Sequence, residues 1–197
     1  QLTFLFFVII TAASAGLYAL IDPFVRDIWI GKGFLLDRPV VFLAIITFAV
    51  QGMGLPLSIV IGVSGLFKQE RNLSIITAVV NLVVSLALVV PFGVAGVLLG
   101  TFLSYLIQII YRTVVFYRVY IERSSKRYVV DLTEYLILMA GEIWLANWLT
   151  AYLYRGTLLT FLVSGIVCVS VVVGLNLVMF CRSSRLKSLM KLIGFAK

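Results

Sequence analysis

Long apolar runs recur along the whole of this chain, and they decide what it can fold into. Each run has close to 20 residues or more. A helix of that length, rising about 1.5 Å per residue, crosses the roughly 30 Å hydrocarbon core of a bilayer. Backbone N–H and C=O groups in hydrocarbon must bond one another, so only helix bundles and closed barrels span membranes. Barrel strands would show segments of about ten residues with alternating polarity. The runs therefore predict an all-α, polytopic transmembrane helix bundle.

Six membrane spans are predicted, separated by segments that carry charge, glycine or proline. Asp22-Pro23 marks the expected end of the first span, because proline removes a helix hydrogen bond. The predicted spans are residues 2–21, 39–67, 73–90, 94–117, 132–153 and 158–181. Residues 182–197 form a basic tail, whose pattern fits an amphipathic helix lying on anionic lipid and fits a frayed tail equally well.

Basic residues are distributed unevenly between the two sides of these spans. Twelve Lys and Arg lie on the side that holds 68–72, 112–128 and the tail, and four lie on the other side. Because cytoplasmic segments are enriched in Lys and Arg, the sequence predicts a multi-pass protein of the cytoplasmic (inner) membrane with both ends in the cytoplasm. The net charge of +8 is then explained by topology and by contact with membrane lipids. A nucleic-acid partner is not expected.

Polar side chains within the spans are few, and a polar group that faces lipid is costly. Gln51, Asn81 and Gln108 are therefore expected either to line a substrate path or to bridge helices. Arg26, at the predicted outer face, is a further candidate for contact with substrate. These four residues are the predicted substrate-path candidates.

Small residues have a different expected role. Gly96, Gly100 and Ser104 follow one another at four-residue spacing in the fourth span, a pattern typical of closely packed membrane helices. The sequence therefore predicts that this row packs tightly against another helix.

The second span carries helix-breaking residues in its interior, namely Gly52, Gly54 and Pro56. Proline and glycine within a helix are common causes of kinks. These three residues are the candidates for a hinge.

Glu142 is the one carboxylate near the middle of a span. An ionisable residue inside a membrane is a functional candidate by default. The alternative, which we prefer from the sequence, is a hydrogen-bonded strut between the fifth and sixth spans.

Residues that enzymes need are missing from the pattern. The chain has no histidine, which excludes the common imidazole bases. It has no glycine-rich phosphate loop, no HExxH motif and no CxxC pair. The sequence therefore predicts a protein that is not an enzyme and that holds no cofactor or metal.

Three stretches within residues 22–101 resemble the Wzx-type polysaccharide flippases of the multidrug/oligosaccharidyl-lipid/polysaccharide exporter superfamily. They read Asp-Pro-Phe-Val-Arg-Asp-Ile-Trp-Ile-Gly over 22–31 and Gly-Leu-Phe-Lys-Gln-Glu-Arg-Asn over 65–72. The third combines Ile-Thr-Ala-Val-Val-Asn-Leu over 76–82 with Pro-Phe-Gly-Val-Ala-Gly-Val-Leu-Leu-Gly-Thr over 91–101. The last pair is the most specific of the three.

This resemblance implies part of a MATE-like fold. Residues 1–120 would correspond to helices nine to twelve in the second lobe, and residues 121–181 to an additional helix pair before the tail. Gln1 lies directly in an apolar run, which favours a chain that is a piece of a longer protein, with its missing N-terminal portion as a partner. The implied activity is outward translocation of polyprenyl-diphosphate-linked glycan by alternating access.

Two other functions remain open at this point. One is a drug or cation antiporter of the same superfamily, for which Glu142 would be the candidate coupling carboxylate. The other is a membrane scaffold that takes part in polysaccharide assembly without transporting anything. A flux assay separates transport from scaffolding, and ion dependence of the flux separates the two transporters.

Overall fold

The computed structural model describes residues 2–121 and 124–181, and within them the chain is all-α and contains no strand. The helices are α1 (Leu2–Pro23), α2 (Arg38–Val63), α3 (Phe67–Phe92), α4 (Val94–Val115), α5 (Lys126–Leu153) and α6 (Leu158–Phe180). All of these except α5 are long and apolar enough to cross a membrane. The predicted class, an all-α helical bundle of membrane-spanning length, is confirmed. The predicted tail helix lies outside the described residues.

The helix α5 has 28 residues, which is more than enough length for a span. Its apolar stretch is interrupted by Glu142 and Asn147, and its first turns carry Lys126, Arg127 and Asp131. These residues make it less apolar than the other five helices. Glu142 itself is buried, so the carboxylate near the middle of this helix does not lie on its exposed surface.

The α-helical geometry of α1 ends at Pro23, close to where the sequence predicts its end, but the chain does not leave the helical path there. It passes through Pro23 and continues as a π-helical segment over Phe24–Trp29. The wider hydrogen-bond spacing of a π-helix accommodates local disruption of the α-helical ladder. Gly31, with φ of 96°, then turns the chain out of the helix, and its N–H donates to the Val25 carbonyl at 2.9 Å.

The segment 68–72, predicted as a loop, is instead the beginning of α3. The chain turns at Gly65, with φ of 73°, and α3 begins at Phe67. The prediction was wrong because it treated polar residues as non-helical, although Lys, Gln, Glu and Arg are all strong helix formers. The early start places Glu70 on the first turn of a helix.

Contacts divide the chain into two compact units. One unit contains the chain up to Leu36 and from Tyr135 onward, and so holds α1, most of α5 and α6. The other unit is Asp37–Glu134 and holds α2, α3 and α4. The division at residue 120 follows the resemblance rather than these contacts, and it stays a prediction.

In the first unit, α1 and α6 pack antiparallel. The Phe4 and Phe180 rings lie 5.0 Å apart between centroids. Toward the other end of α1, a Cβ added to Gly165 would lie 3.2 Å from Leu20 Cδ1. The absence of a side chain at Gly165 therefore lets the two helices approach closely.

In the second unit, α3 and α4 pack through the row of small residues that the sequence indicates. A Cβ on Gly96 would overlap the Leu88 backbone, and one on Gly100 would lie 3.0 Å from Ser85 N and 3.1 Å from Asn81 O. The two backbones therefore approach more closely than any residue larger than glycine permits.

The outer face of α3 is apolar and uncovered. Its large side chains, each more than half exposed, are Ile75, Ile76, Val79, Leu82, Val83 and Leu86. A continuous apolar surface of this kind marks a membrane or protein contact. A helix of this length and composition could cross a membrane, and such a face is then suited to contact with lipid.

Candidate functional site

A cavity of 240 Å³ lies between α3 and α4. Its lining is made almost entirely of small, hydroxyl and amide side chains: Ser74, Thr77, Ala78, Asn81, Thr101, Ser104, Tyr105 and Gln108. These positions surround the midpoints of two apolar helices. This cavity therefore lies at a central position and is lined by hydrogen-bonding groups that carry no formal charge.

Hydrogen bonds between α3 and α4 hold the lining in place. The Ser104 hydroxyl donates to the Thr77 carbonyl at 3.1 Å, and the Gln108 amide donates to the Thr77 hydroxyl at 3.3 Å. Along α3, the Ser85 hydroxyl donates to Asn81 Oδ1 at 2.9 Å. Thr77 is thus the anchor to which both α4 side chains attach.

A second cavity, of 120 Å³, lies between α2 and α4. It is lined by Val50, Gln51, Gly54, Leu55, Ser58, Tyr105, Gln108, Ile109 and Arg112. Tyr105 and Gln108 line both cavities. Three of the substrate-path candidates are therefore brought together: Asn81 in the larger cavity, Gln51 at the exposed rim of the smaller one, and Gln108 in both. Their role in a substrate path stays a prediction.

Arg112 gives the smaller cavity a positive charge. Its Nε donates to Glu70 Oε1 at 3.0 Å, and the two side chains are 13% and 26% exposed. From the sequence, Arg112 is predicted only to be one of the basic residues that set the membrane orientation. The pair could not be found from sequence spacing, because its partner is 42 residues away and was assigned to a loop.

The hinge candidates lie within one continuous helix. Gly52, Gly54 and Pro56 are all buried residues of α2. A Cβ on Gly54 would lie 3.0 Å from Ile109 Cγ1 of α4, so the absence of a side chain there serves close packing. A hinge at these three residues stays a prediction.

Arg26 lines neither of these cavities. It lies in the π-helical segment after α1, where its Nη2 is 2.8 Å from Asp27 Oδ2. The Tyr154 hydroxyl donates to the same carboxylate at 2.8 Å. Partial burial and this hydrogen bond raise the pKa of Tyr154 above its ordinary value. Arg26 therefore belongs to an ion-pair and hydrogen-bond group that fastens the end of α1 to the residues after α5.

Glu142 is buried and joins α5 to α6. The Asn176 amide donates to Glu142 Oε2 at 2.8 Å and to the Val172 carbonyl at 2.9 Å. The interpretation of Glu142 as a hydrogen-bonded strut between the fifth and sixth spans predicts such a bond. Asn176 was missed, although it follows Cys168 and Val172 at four-residue spacing and so shares their buried face. Glu142 Oε1 and Asn176 Oδ1 have no hydrogen-bond partner.

Among residues 2–121 and 124–181, no group of three or more His, Cys, Asp or Glu side chains comes together to hold a metal ion. The polar groups of the cavities are hydroxyls, amides and the Arg112–Glu70 pair. They are suited to binding polar molecules by hydrogen bonds.

No family model matches the chain, and no curated protein or solved structure is similar enough to count as a match. The resemblance to polysaccharide flippases therefore rests on the three sequence stretches alone.

Proposed function

We propose that this chain is part of a membrane transporter that moves polyprenyl-diphosphate-linked oligosaccharide outward across the cytoplasmic membrane. The observation that carries the proposal is a polar cavity at the middle of two otherwise apolar helices, which meets a second polar cavity at Gln108. Binding sites near the midplane are characteristic of transporters that work by alternating access. The motif resemblance supplies the identity of the substrate.

The larger cavity suits an uncharged sugar. Sugar hydroxyls both donate and accept hydrogen bonds, as do the lining hydroxyls of Thr77, Ser104 and Tyr105 and the amides of Asn81 and Gln108. Its 240 Å³ is below the roughly 300–1,000 Å³ of pockets that enclose drug-sized ligands. We therefore assign it one sugar unit of a longer glycan.

The smaller cavity adds a single cation. A diphosphate would compete with Glu70 for the guanidinium of Arg112, since arginine forms two parallel hydrogen bonds with either carboxylate or phosphate. One arginine does not make a complete diphosphate site. The proposal therefore requires further cations besides Arg112, and it places both ends of this chain in the cytoplasm.

The transport cycle in this proposal depends on bending of α2. Gly54 packs on Ile109 beside the smaller cavity, so a bend at Gly52, Gly54 and Pro56 would change the contact between α2 and α4. Rigid segments that move about such a point are one of the recurring forms of conformational switching. The smaller cavity would open and close with this contact.

A vesicle assay tests the proposal. The protein is reconstituted with fluorescent polyprenyl-diphosphate-linked sugar, and a membrane-impermeant quencher is added outside. Transport brings inner-leaflet probe to the quencher, so quenching proceeds beyond the fraction lost in protein-free vesicles. Quenching equal to that of protein-free vesicles, with the protein incorporated, would contradict transport and favour the scaffold.

One observation favours the antiporter as the second candidate. Glu142 is buried with one carboxyl oxygen unpartnered, as a coupling carboxylate would be. The same vesicles, given proton or sodium gradients, separate the two transporters. An antiporter would move a drug-like cation against the ion and leave the lipid-linked sugar in place.

A further inference from the structure

Four buried oxygen atoms in the unit formed by α1, α5 and α6 have no hydrogen-bond partner. They are Thr11 Oγ1, Ser14 Oγ, Glu142 Oε1 and Asn176 Oδ1. Thr11, Ser14 and Asn176 are fully buried, and Glu142 is 6% exposed. Buried polar atoms in native proteins are almost always paired with protein, water or an ion. Four such atoms from three helices therefore call for a common explanation.

The two hydroxyls differ from several other helical hydroxyls of this chain. Thr47 and Ser164, for example, each donate to the carbonyl four residues earlier at 2.7 Å. Thr11 and Ser14 make no such bond. Since they lie three residues apart in α1, they point to the same side of the helix. Both are therefore free to act as ligands on one face.

Contacts on both sides fix the level of these atoms along the helices. On one side is an aromatic layer, in which the Phe7 ring lies 4.4 Å from Tyr135 and 6.1 Å from Phe180. On the other side is a small-residue layer, in which α1, α5 and α6 meet through Ala15, Ala146 and Val172. Each layer contains residues from all three helices.

The four oxygens without a hydrogen-bond partner lie between these two layers. Thr11 is four residues from the α1 member of each layer, and Asn176 is four residues from each α6 member. Glu142 lies seven residues after the α5 member of the aromatic layer and four before that of the small-residue layer. At 3.6 residues per turn, all three stand about one or two turns from both layers. Ser14 lies one turn after Thr11, at the edge of this level and next to Ala15. Because helical side chains tilt toward the helix N-terminus, its side chain leans back toward Thr11.

Within the described helices of this unit, no positively charged residue lies near this level. Residues 2–21 of α1 and all of α6 contain no Asp, Glu, Lys or Arg, and their titratable groups are Tyr18 and Cys168. On α5 the nearest titratable group is Tyr135, and the charged residues begin eight positions from Glu142, at Glu134. A carboxylate buried in this environment without a positive partner is strongly disfavoured.

We propose that Glu142, Asn176, Thr11 and Ser14 bind one small monovalent cation, a proton or a sodium ion, inside this helix unit. As a proton site, Glu142 Oε1 carries the hydrogen and donates it to Asn176 Oδ1, which closes a carboxyl–amide ring with the existing bond. As a sodium site, all four oxygens are ligands, because hard cations prefer carboxylate, amide and hydroxyl oxygen. The site does not depend on what the protein transports.

Thermal unfolding of the purified chain in detergent tests the proposal. The melting temperature is followed while sodium replaces choline at constant ionic strength, and then in choline while the pH is raised. Glu142→Gln keeps the size and the bond to Asn176 but removes the charge. Glu134→Gln removes an exposed carboxylate from the same helix and is the matched control.

The two cations give different results. For sodium, the melting temperature of the wild type and of Glu134→Gln rises with sodium, and Glu142→Gln loses this rise. Thr11→Val, which lacks one ligand, then needs about tenfold more sodium for the half-maximal shift. For a proton, the folded chain binds one more proton than the unfolded chain, so the melting temperature falls as pH rises. Glu142→Gln lacks that fall, and Thr11→Val keeps it.

Equal responses of the wild type and Glu142→Gln to sodium and to pH would overturn the proposal. Direct binding of radioactive sodium to the wild type, measured by equilibrium dialysis at high and low pH, needs no variant. Bound sodium that is displaced at low pH supports the sodium site. Absence of binding, together with a melting temperature that does not depend on pH, would overturn both forms.

Discussion

The guanidinium of Arg112 on α4 is paired with the carboxylate of Glu70 on the first turn of α3. The pair joins two helix ends across 42 residues of chain, at the side of the smaller cavity that Arg112 lines. Glu70 also lies where the helix dipole favours negative charge. This single contact therefore fixes the α3–α4 register at one end and holds the only arginine of the cavity lining in place.

Removing this pair is expected to lower stability measurably. A double-mutant cycle of Glu70→Gln and Arg112→Gln should give a coupling free energy of about 1 kcal/mol, at the upper end of the range for surface pairs because both side chains are partly buried. The free energy of unfolding in detergent is the measurement, with Glu134→Gln as control. A coupling free energy of zero within error would contradict the pair.

Glycines in this chain differ in how closely other atoms surround them. Their replacement by alanine should therefore have different effects on the free energy of unfolding. Gly100→Ala would place a Cβ 3.0 Å from Ser85 N and 3.1 Å from Asn81 O, so we expect a loss of about 1–3 kcal/mol of unfolding free energy. Gly62→Ala, in α2, meets no atom within 4 Å and should be neutral or stabilising by up to about 1 kcal/mol. Equal effects of the two substitutions would show that α3 and α4 are not closely packed at Gly100.

The hydrogen bond from Tyr154 to Asp27 should depend on pH in a defined direction. Because the pKa of Tyr154 is raised, its contribution is present below the ordinary tyrosine value of about 10 and is lost as pH rises through the folded value. Tyr154→Phe should therefore cost about 0.5 kcal/mol at neutral pH, a low figure because the bond is exposed. The difference from wild type should shrink in strongly alkaline solution. Unfolding curves at several pH values test this, and a constant difference would contradict it.

Much of this helical architecture can be predicted from local patterns in the sequence. Apolar runs of membrane length predicted the helices. The four-residue spacing of Gly96, Gly100 and Ser104 predicted which face of α4 packs against another helix, but not that this helix is α3. A polar amide that faces lipid is costly, which led to the choice of Gln51, Asn81 and Gln108 from the sequence. The same cost accounts for the partly buried positions of Asn81 and Gln108 beside the cavities, whereas Gln51 is exposed.

Other features depend on tertiary context that no local pattern contains. The passage of α1 through Pro23 depends on hydrogen bonds that re-form in a wider helix. The partner of Arg112 became available only because α3 begins before the polar segment that was taken for a loop. Asn176 meets Glu142 because two helices pack in one register, and register is set by side-chain volumes over the whole interface.

A substitution at Gln108 can distinguish an effect on the proposed transport from an effect on the stability of the fold. It lines both cavities, yet its one hydrogen bond to protein, to Thr77 at 3.3 Å, is long. Gln108→Leu should therefore change unfolding free energy by less than about 1 kcal/mol. In the vesicle assay the loss of a hydrogen bond to sugar should reduce flux by about 5- to 100-fold. Ile110→Leu, on the exposed face of the same helix, is the control. Undiminished flux with Gln108→Leu at equal protein content would remove this residue from the substrate path.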